Sequence, residues 1–86
     1  MAYNVTYKAS VEKDLKNIDK KQAKRILDAI DNDLADAPRK KGEPLRGEFE
    51  GHWKFVVRPY RVIYEIFDRE KTIRINRIGH RKDIYR

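Results

Sequence analysis

Hydrophobic and polar residues alternate along several short stretches of this chain. Residues 3–8 alternate tyrosine and valine with polar side chains, residues 53–58 follow the same period, and residues 72–78 continue it. A two-residue period is typical of a strand that buries one face. Residues 61–67 form the most continuously apolar run and predict the central strand. Pro59 predicts a turn just before that strand.

Apolar residues between the first two predicted strands recur at helical spacing. Residues 11–18 predict a first helix, for which Ser10 offers an N-cap oxygen. Asp19 begins a capping-box pattern and predicts the start of a second helix, whose apolar stripe runs through residues 23–34. Pro38 disfavours helical geometry at the residue before it, so this helix should end shortly before the proline.

The remaining segments connect these elements. Three glycines and one proline interrupt residues 39–51, which predicts an extended surface loop, and residues 68–71 predict a hairpin between the last two strands. The predicted element order is β-α-α-β-β-β in a single domain over residues 1–86. This order indicates an α+β fold in which a two-helix hairpin covers one face of an antiparallel sheet.

The net charge of +7 is unevenly distributed. Residues 9–38 hold six basic and seven acidic side chains, whereas residues 39–61 hold seven basic and three acidic ones. Residues 72–86 add five basic side chains and one acidic one. The excess positive charge therefore lies in two segments that flank the predicted strands. Such a distribution is typical of a protein that meets a polyanion or an acidic partner on one surface.

Several classes of site and location are excluded by what the sequence lacks. No cysteine is present, which excludes disulfides and thiolate metal sites. The N-terminus has no secretion-signal pattern, and no apolar stretch approaches the roughly 18 residues of a membrane span. We therefore expect a cytoplasmic protein without a membrane partner. The two histidines, His52 and His80, are isolated in the sequence, so we expect no metal and no cofactor.

The same alternation groups basic side chains. If Trp53 faces the helices, Lys54 and Arg58 lie on the opposite face of the sheet, where Arg61 and residues 79–85 could join them. A cation-rich face of this kind is either simply solvated or binds a polyanion. Cations and a tyrosine suffice to cut RNA, because the 2′-hydroxyl of RNA is itself the nucleophile. DNA lacks that hydroxyl, so a site of this kind would not cut DNA.

Two groups of residues carry a family resemblance. The first consists of Leu-Arg-Gly at 45–47, Trp-Lys at 53–54 and Tyr-Arg-Val-Ile-Tyr at 60–64; the second is Gly-His-Arg at 79–81 followed by Tyr85. Through these residues nearly the whole chain resembles the RelE/ParE superfamily of toxins from bacterial and archaeal toxin–antitoxin systems. Within that superfamily it is similar to the RelE-type messenger-RNA endonucleases.

The resemblance implies a role for four residues. Lys54 is implied as the general base, Arg61 as the clamp on the phosphate and the transition state, and Tyr85 as the aromatic that stacks on or orients the target base. Arg81 is implied as a proton donor or a second clamp, and the second role is favoured because a guanidinium holds its proton tightly. Further basic residues are expected to bind RNA phosphates: Arg46, Arg58, Arg77, Lys82 and Arg86.

One position departs from the family pattern. The best-known members carry a second lysine two positions after the first, where this chain has Val56. A related branch uses a glutamate as base and a C-terminal histidine as acid, and Glu43 and His80 could fill those roles. A lysine is a poor base at neutral pH, although crowding by neighbouring arginines would favour its uncharged form. The base therefore stays open between Lys54 and Glu43.

The resemblance also implies an activity and partners. It implies a ribosome-dependent endoribonuclease that enters the ribosomal A site, cuts messenger RNA there and inhibits translation. The implied protein partner is a cognate antitoxin with an acidic or amphipathic helix, and operator DNA is contacted only through the toxin–antitoxin complex. Two alternatives stay open: a ParE-type toxin that poisons DNA gyrase, and a catalytically weak, toxin-like co-repressor scaffold.

Overall fold

The computed structural model describes residues 2–84. Within this range the helices are α1 (Ala9–Lys16), α2 (Lys20–Ala29) and α3 (Pro38–Lys41). The strands are β1 (Asn4–Tyr7), β2 (Glu43–Pro44), β3 (Trp53–Val57), β4 (Tyr60–Phe67) and β5 (Thr72–His80). A π turn over Ile30–Leu34 extends α2, and a 3-10 turn over Gly47–Phe49 precedes β3. No helix in residues 2–84 is long and apolar enough to cross a membrane.

The strands form one sheet in the order β1-β5-β4-β3-β2, with β4 at its centre as predicted. The four strands from β2 to β5 pair antiparallel. β1 instead pairs in parallel with β5, with Asn4 opposite Thr72 and Tyr7 opposite Ile75. The α+β prediction is therefore confirmed, but the prediction of a purely antiparallel sheet is wrong at this edge. Parallel pairing needs a long connection, and most of the chain separates β1 from β5.

The helix ends follow the sequence only in part. Lys8 is the N-cap residue of α1 and makes no side-chain cap, so the prediction that Ser10 caps this helix is wrong. Asp19 caps α2 as predicted, because its carboxylate accepts a hydrogen bond from a backbone amide of the first turn. After α2 the amide of Ala35 donates to the carbonyl of Ile30 at 2.9 Å, which is the hydrogen-bond pattern of a π turn.

The segment predicted as an extended loop, residues 39–51, contains regular structure. Pro38 occupies the first turn of α3, where its fixed φ angle and missing amide are tolerated. The chain then forms β2, which lies antiparallel to β3 with Glu43 opposite Lys54. The loop prediction is therefore wrong for α3 and β2, which are too short to leave a periodic pattern in the sequence.

The core lies between the helices and one face of the sheet. Phe55 and Val57 belong to this core, and the partly buried Trp53 packs against it, as the alternation predicts. The hydroxyl of Tyr64 donates to the carbonyl of Pro38 at 2.6 Å, and burial raises the pKa of Tyr64 well above its ordinary value. The fully buried side chains include Val11, Ile26, Ile30, Leu34, Val62, Tyr64, Ile73 and Ile75.

The segment after β5 turns back onto the other face of the sheet. Ile84 is buried, and its side chain covers Gly79, where a Cβ would lie 3.3 Å from the Cδ1 of Ile84. Arg77 fixes this return by donating from Nη1 to the carbonyl of Ile84 at 2.6 Å. Residues 81–84 thereby close one end of the face that does not meet the helices.

Candidate functional site

The face of the sheet opposite the helices carries the predicted basic residues of the strands. Arg61 and Ile63 alternate with Val62 and Tyr64, which belong to the core under the helices, and so share the opposite face. Lys54 pairs with Ile63 across β3 and β4, and Val56 pairs with Arg61. On the other side of Arg61 lies Gly79 of β5. Lys54 and Arg61 are therefore diagonal neighbours on one face, as the alternation indicates.

A basic cavity of about 830 Å³ opens where the β3–β4 turn meets the end of β5. Four of the predicted phosphate-binding or catalytic cations line it, together with one histidine and one glutamate. These residues are Arg58, Arg61, Arg81, Lys82, His80 and Glu43. The fold thus brings together side chains that are up to 39 positions apart in the sequence, from Glu43 to Lys82.

Arg61 is the most enclosed cation of this cavity. Its side chain is partly buried, and its Nε is shielded from solvent without a hydrogen-bond partner among the described residues. A buried donor left unpaired costs about 1–3 kcal/mol. An anion placed against this guanidinium would satisfy the donor, because phosphate and carboxylate groups match the fork geometry of arginine.

Lys54 and Glu43, the two candidate bases, lie together. The Nζ of Lys54 is 3.6 Å from Oε2 of Glu43, and the lysine side chain is 25% exposed against 74% for the glutamate. Glu43 lines the basic cavity, whereas Lys54 does not. Arg58, Arg61 and Arg81 line the basic cavity, and the ion-pair contact of Lys54 is with a carboxylate, so the crowding of Lys54 by these arginines stays a prediction.

His80 and the start of the returning segment shape one wall of the basic cavity. The Nδ1 of His80 accepts a hydrogen bond from the amide of Lys82 at 3.2 Å, and its ring packs edge-on against Tyr60, with 5.9 Å between ring centroids. The amide of Arg81 donates to the carbonyl of Pro59 at 3.1 Å. Backbone contacts thus hold the Arg81 and Lys82 side chains next to the β3–β4 turn.

The structure places the other predicted site residues elsewhere. Arg77 holds the carbonyl of Ile84, and Arg46 is exposed before the 3-10 turn; neither lines the basic cavity. Tyr85 and Arg86 lie outside the described residues. Within residues 2–84, no group of three His, Cys, Asp or Glu side chains could hold a metal ion.

Sequence reasoning missed two residues that complete the cavity, Val56 and Pro59. Val56 is 42% exposed although it is apolar, and it lies opposite Arg61. The alternation along β3 already placed Val56 on the face of Lys54. In the sequence, position 56 was notable only because it holds valine in place of the second lysine of the family pattern. The contribution of Val56 to the cavity wall was therefore overlooked.

Comparison of sequences identifies the family. A family model described as the ParE toxin of type II toxin-antitoxin system, parDE, matches residues 5–85. The chain is 33% identical to Toxin RelG of Mycobacterium tuberculosis over 86 residues, which are 100% of this chain and 99% of that protein. It is 31% identical to Toxin RelE of the same organism over 84 residues, 98% of this chain and 87% of that protein.

Solved structures share the fold. The toxin–antitoxin complex RelBE2 from Mycobacterium tuberculosis matches with a TM-score of 0.90 and 28% identity, over 94% of this chain and 100% of the matched chain. The isolated E. coli RelE toxin matches with a TM-score of 0.77 and 19% identity, over 98% and 92% of the two chains. The chain therefore belongs to the RelE/ParE superfamily of toxins from type II toxin–antitoxin systems.

Proposed function

We propose that this toxin is a ribosome-dependent endoribonuclease that cuts messenger RNA in the ribosomal A site. The observation that carries the proposal is Arg61, whose buried Nε has no partner in the described part of the chain, in a cavity lined by three further cations. A guanidinium that lacks a hydrogen-bond partner can bind an anion. We take this anion to be a phosphodiester of RNA, because the chain is similar to a toxin named RelE.

The proposed reaction uses the 2′-hydroxyl of the RNA. Its oxygen forms a bond to the adjacent phosphorus while the bond from phosphorus to the 5′-oxygen breaks, which leaves a 2′,3′-cyclic phosphate and a 5′-hydroxyl. One group must accept the proton of the 2′-hydroxyl, and another must protonate the departing oxygen. Arg61 and Arg81 stabilise the charge on the pentavalent phosphorus. Lys54 is our candidate base, with its ion-pair partner Glu43 as the competing candidate.

The ribosome and an antitoxin are the proposed partners. The cavities on this small sheet are open, so a ribosome that presents an ordered RNA strand would supply part of the orientation that cleavage requires. Solved complexes of related toxins with antitoxins support a cognate antitoxin for this chain. The basic cavity is a suitable contact for acidic side chains of such a partner, and we propose that operator DNA is reached only through that complex.

Gyrase poisoning is the second candidate function. It is favoured by the matching family model, whose description names ParE. Val56, which stands where the best-known members carry a second lysine, instead keeps the co-repressor scaffold open. Gyrase poisoning would require a protein-binding surface, on which the basic cavity would meet acidic side chains of gyrase instead of an RNA phosphate.

Two assays decide between these functions. Purified protein is added to programmed ribosomes, and messenger ends are mapped by primer extension; in parallel, gyrase-dependent DNA breaks are measured with the same preparation. We expect new messenger ends within the A-site codon and no gyrase-dependent breaks. DNA breaks without messenger cleavage would replace the proposal with the gyrase function, and the absence of both would favour the co-repressor scaffold.

A further inference from the structure

Charge is divided along the second helix. Residues 20–25, in the first half of α2, hold four basic side chains and no acidic one. Residues 26–36, which run from the end of α2 through the π turn, hold four acidic side chains and no basic one. The near-neutral helical segment therefore has a basic end and an acidic end, and the basic end lies next to the turn between α1 and α2.

This polarity opposes the helix macrodipole. Acidic residues are favourable in the first turn of a helix and basic residues in the last, because the two ends carry partial positive and partial negative charge. After its cap, Asp19, α2 begins with Lys20 and Lys21, and the π turn that extends it carries Asp31 and Asp33. Local stability disfavours this arrangement. Proteins break such local rules mainly where a surface has a function.

Four exposed cations at the basic end form what we call the lysine surface: Lys16, Lys20, Lys21 and Arg25. None of the three lysines forms an ion pair within residues 2–84, whereas Lys24 pairs with Asp28 at 3.1 Å. Of the carboxylates nearby in the sequence, Asp14 accepts a hydrogen bond from the amide of Ile78 at 3.0 Å, and Asp19 caps α2. The charge of the lysine surface is therefore available to a partner outside the chain.

The lysine surface meets the basic cavity through Arg25. Nη2 of Arg25 donates to the backbone carbonyl of Arg58, whose side chain lines the basic cavity. Lys21 precedes Arg25 by four residues, so the two side chains are neighbours on one face of the helix. The cations of α2 are therefore close to the β3–β4 turn and to the cations of the basic cavity.

A further cavity, of about 510 Å³, joins the α1–α2 turn to the same region. Its lining includes residues 17–18 of that turn, and also His80 and Lys82, which line the basic cavity as well. Its two carboxylates are Asp83 and Asp14, and Asp14 is already engaged by a backbone amide. One anionic partner can therefore contact the lysine surface and the basic cavity at the same time.

The composition of the lysine surface indicates a nucleic acid as this partner. Nucleic-acid interfaces are polar and strongly positive, whereas the centre of a protein–protein interface is apolar and rich in aromatic side chains. The large hydrophobic side chains that are exposed within residues 2–84 are Tyr7 and Val56, and neither belongs to the lysine surface. Lysines contact phosphates as point charges and do so without reading the sequence of bases.

We propose that the lysine surface binds the phosphate backbone of a second RNA segment, which flanks the strand held in the basic cavity. On a ribosome this segment is structured RNA beside the A site. The contact adds affinity and fixes the orientation of the toxin, and it takes no part in proton transfer. This inference rests on the proposed endoribonuclease function and adds a separate surface for the RNA that presents the messenger.

The test measures binding to programmed ribosomes whose messenger carries a 2′-deoxy nucleotide at the cut position, so that cleavage does not interfere. Each cation that contacts a phosphate contributes about 0.7 to 0.9 to the slope of log affinity against log salt concentration. We expect Lys20→Gln/Lys21→Gln to reduce this slope by about 1.4 to 1.8 and to weaken binding at least about tenfold in about 0.1 M salt. Single-turnover cleavage of ordinary messenger at saturating toxin should stay within about threefold of wild type.

A matched control removes two cations elsewhere. Lys40→Gln/Arg69→Gln changes exposed residues of α3 and the β4–β5 turn, and it should keep the slope within about 0.5 of wild type. Lys16→Gln tests the lysine surface from α1 and should reduce the slope by about 0.7 to 0.9. Because Lys20 and Lys21 oppose the macrodipole, Lys20→Gln/Lys21→Gln should also raise the melting temperature, which separates weaker binding from poorer folding.

The possible failures are distinguishable. If wild-type protein binds ribosomes but cuts no messenger, the endoribonuclease proposal is wrong, and the salt dependence still tests the lysine surface. If the double variant keeps the wild-type slope, or if the control variant loses as much, the lysine-surface proposal is wrong and cleavage stands. If wild-type protein does not bind ribosomes, both proposals are wrong.

A second measurement tests the choice of RNA over an acidic protein. Wild-type protein labelled with ¹⁵N is titrated with a short RNA duplex and, separately, with poly-glutamate at an equal concentration of negative charge. We expect the RNA duplex to shift the backbone amide signals of residues 16–25 more strongly and at lower concentration. Equal shifts with both polyanions would overturn the assignment to RNA, whatever the ribosome assay shows.

Discussion

At the scale of single residues, the site depends on two features that strand alternation did not reveal. Within residues 2–84, Nε of Arg61 has no hydrogen-bond partner, and Lys54 has a carboxylate as its charged neighbour. The first feature leaves the guanidinium able to bind an anion. The second places the two candidate bases within one ion pair, so removing either side chain changes the surroundings of the other.

Arg61→Met tests the proposed phosphate clamp. We expect single-turnover cleavage on ribosomes to fall by at least about 10²-fold, the usual loss when one donor to the transition state is removed. The free energy of unfolding should stay within about 0.5 kcal/mol of wild type or rise, because the change removes a buried donor that has no partner. Arg69→Met, in the exposed β4–β5 turn, is the control. Equal cleavage by the two variants would remove Arg61 from the site.

Lys54→Met and Glu43→Gln distinguish the two candidate bases. If Lys54 is the base, Lys54→Met loses about 10²- to 10⁴-fold in single-turnover rate at saturating toxin, and Glu43→Gln and His80→Ala each lose much less. Saturation masks effects on binding. If Glu43→Gln shows the large loss and Lys54→Met stays within a few-fold of wild type, Glu43 takes the role of base.

At the scale of elements, one glycine connects α3 to β2. A Cβ at Gly42 would lie 1.7 Å from the hydroxyl oxygen of Tyr64 and 2.9 Å from the backbone carbonyl oxygen of Lys54. The Tyr64 hydroxyl occupies that space because it donates to the carbonyl of Pro38. β2 begins at the next residue, and it carries Glu43 to the cavity.

Gly42→Ala should therefore destabilise the fold by about 1–3 kcal/mol, the usual cost of overpacking a filled space. Chemical denaturation measures this loss. Gly79→Ala is the matched control, since its Cβ would meet only a side-chain methyl group, at 3.3 Å, and it should cost less. The effects of Gly42→Ala and Tyr64→Phe should be non-additive, because both changes act on the same hydroxyl. A Gly42→Ala cost no larger than that of Gly79→Ala would contradict the observed packing.

At the scale of the whole molecule, Asp68 joins three distant parts of the chain. Its carboxylate, in the β4–β5 turn, accepts two hydrogen bonds from Arg39 of α3, one of them at 2.6 Å, and one from Tyr3 at 2.9 Å. The hydrogen bonds from Arg39, followed by that from Tyr3, lower the pKa of Asp68 from 3.8 to about 2. All three groups are on the surface, so salt weakens their attraction.

This contact gives stability a defined dependence on pH. Because the pKa of Asp68 is lower in the folded than in the unfolded chain, its contribution is present above pH 3.8 and is lost as the pH falls toward about 2. Asp68→Asn should therefore lower the melting temperature most at neutral pH and least near pH 2. Glu70→Gln controls for the loss of a negative charge in the same turn. A difference between wild type and Asp68→Asn that stays constant across this range would refute the assignment.

The sequence by itself determined the identity of most elements. Two-residue alternation predicted β1, β3 and β5, a continuous apolar run predicted β4, helical spacing predicted α1 and α2, and Asp19 marked the start of α2. The same alternation placed Lys54 and Arg58 on the face opposite the helices, where Arg61 was expected to join them. These features are local, because burial of one face of an element imposes its period on the residues of that element alone.

Only the tertiary structure decided which elements meet and in what register. The parallel pairing of β1 with β5 leaves no signal in the sequence, because its partners lie at opposite ends of the chain. The short strand β2 has too few residues to show a period, and the bulge in β5 at Asn76, where Ile63 pairs with Arg77 and Tyr64 with Ile75, interrupts one. The contact of Lys54 with Glu43 follows from that register. Residue types alone therefore indicated a cation-rich face, whereas packing between distant segments grouped Arg58, Arg61, Arg81 and Lys82 around one basic cavity.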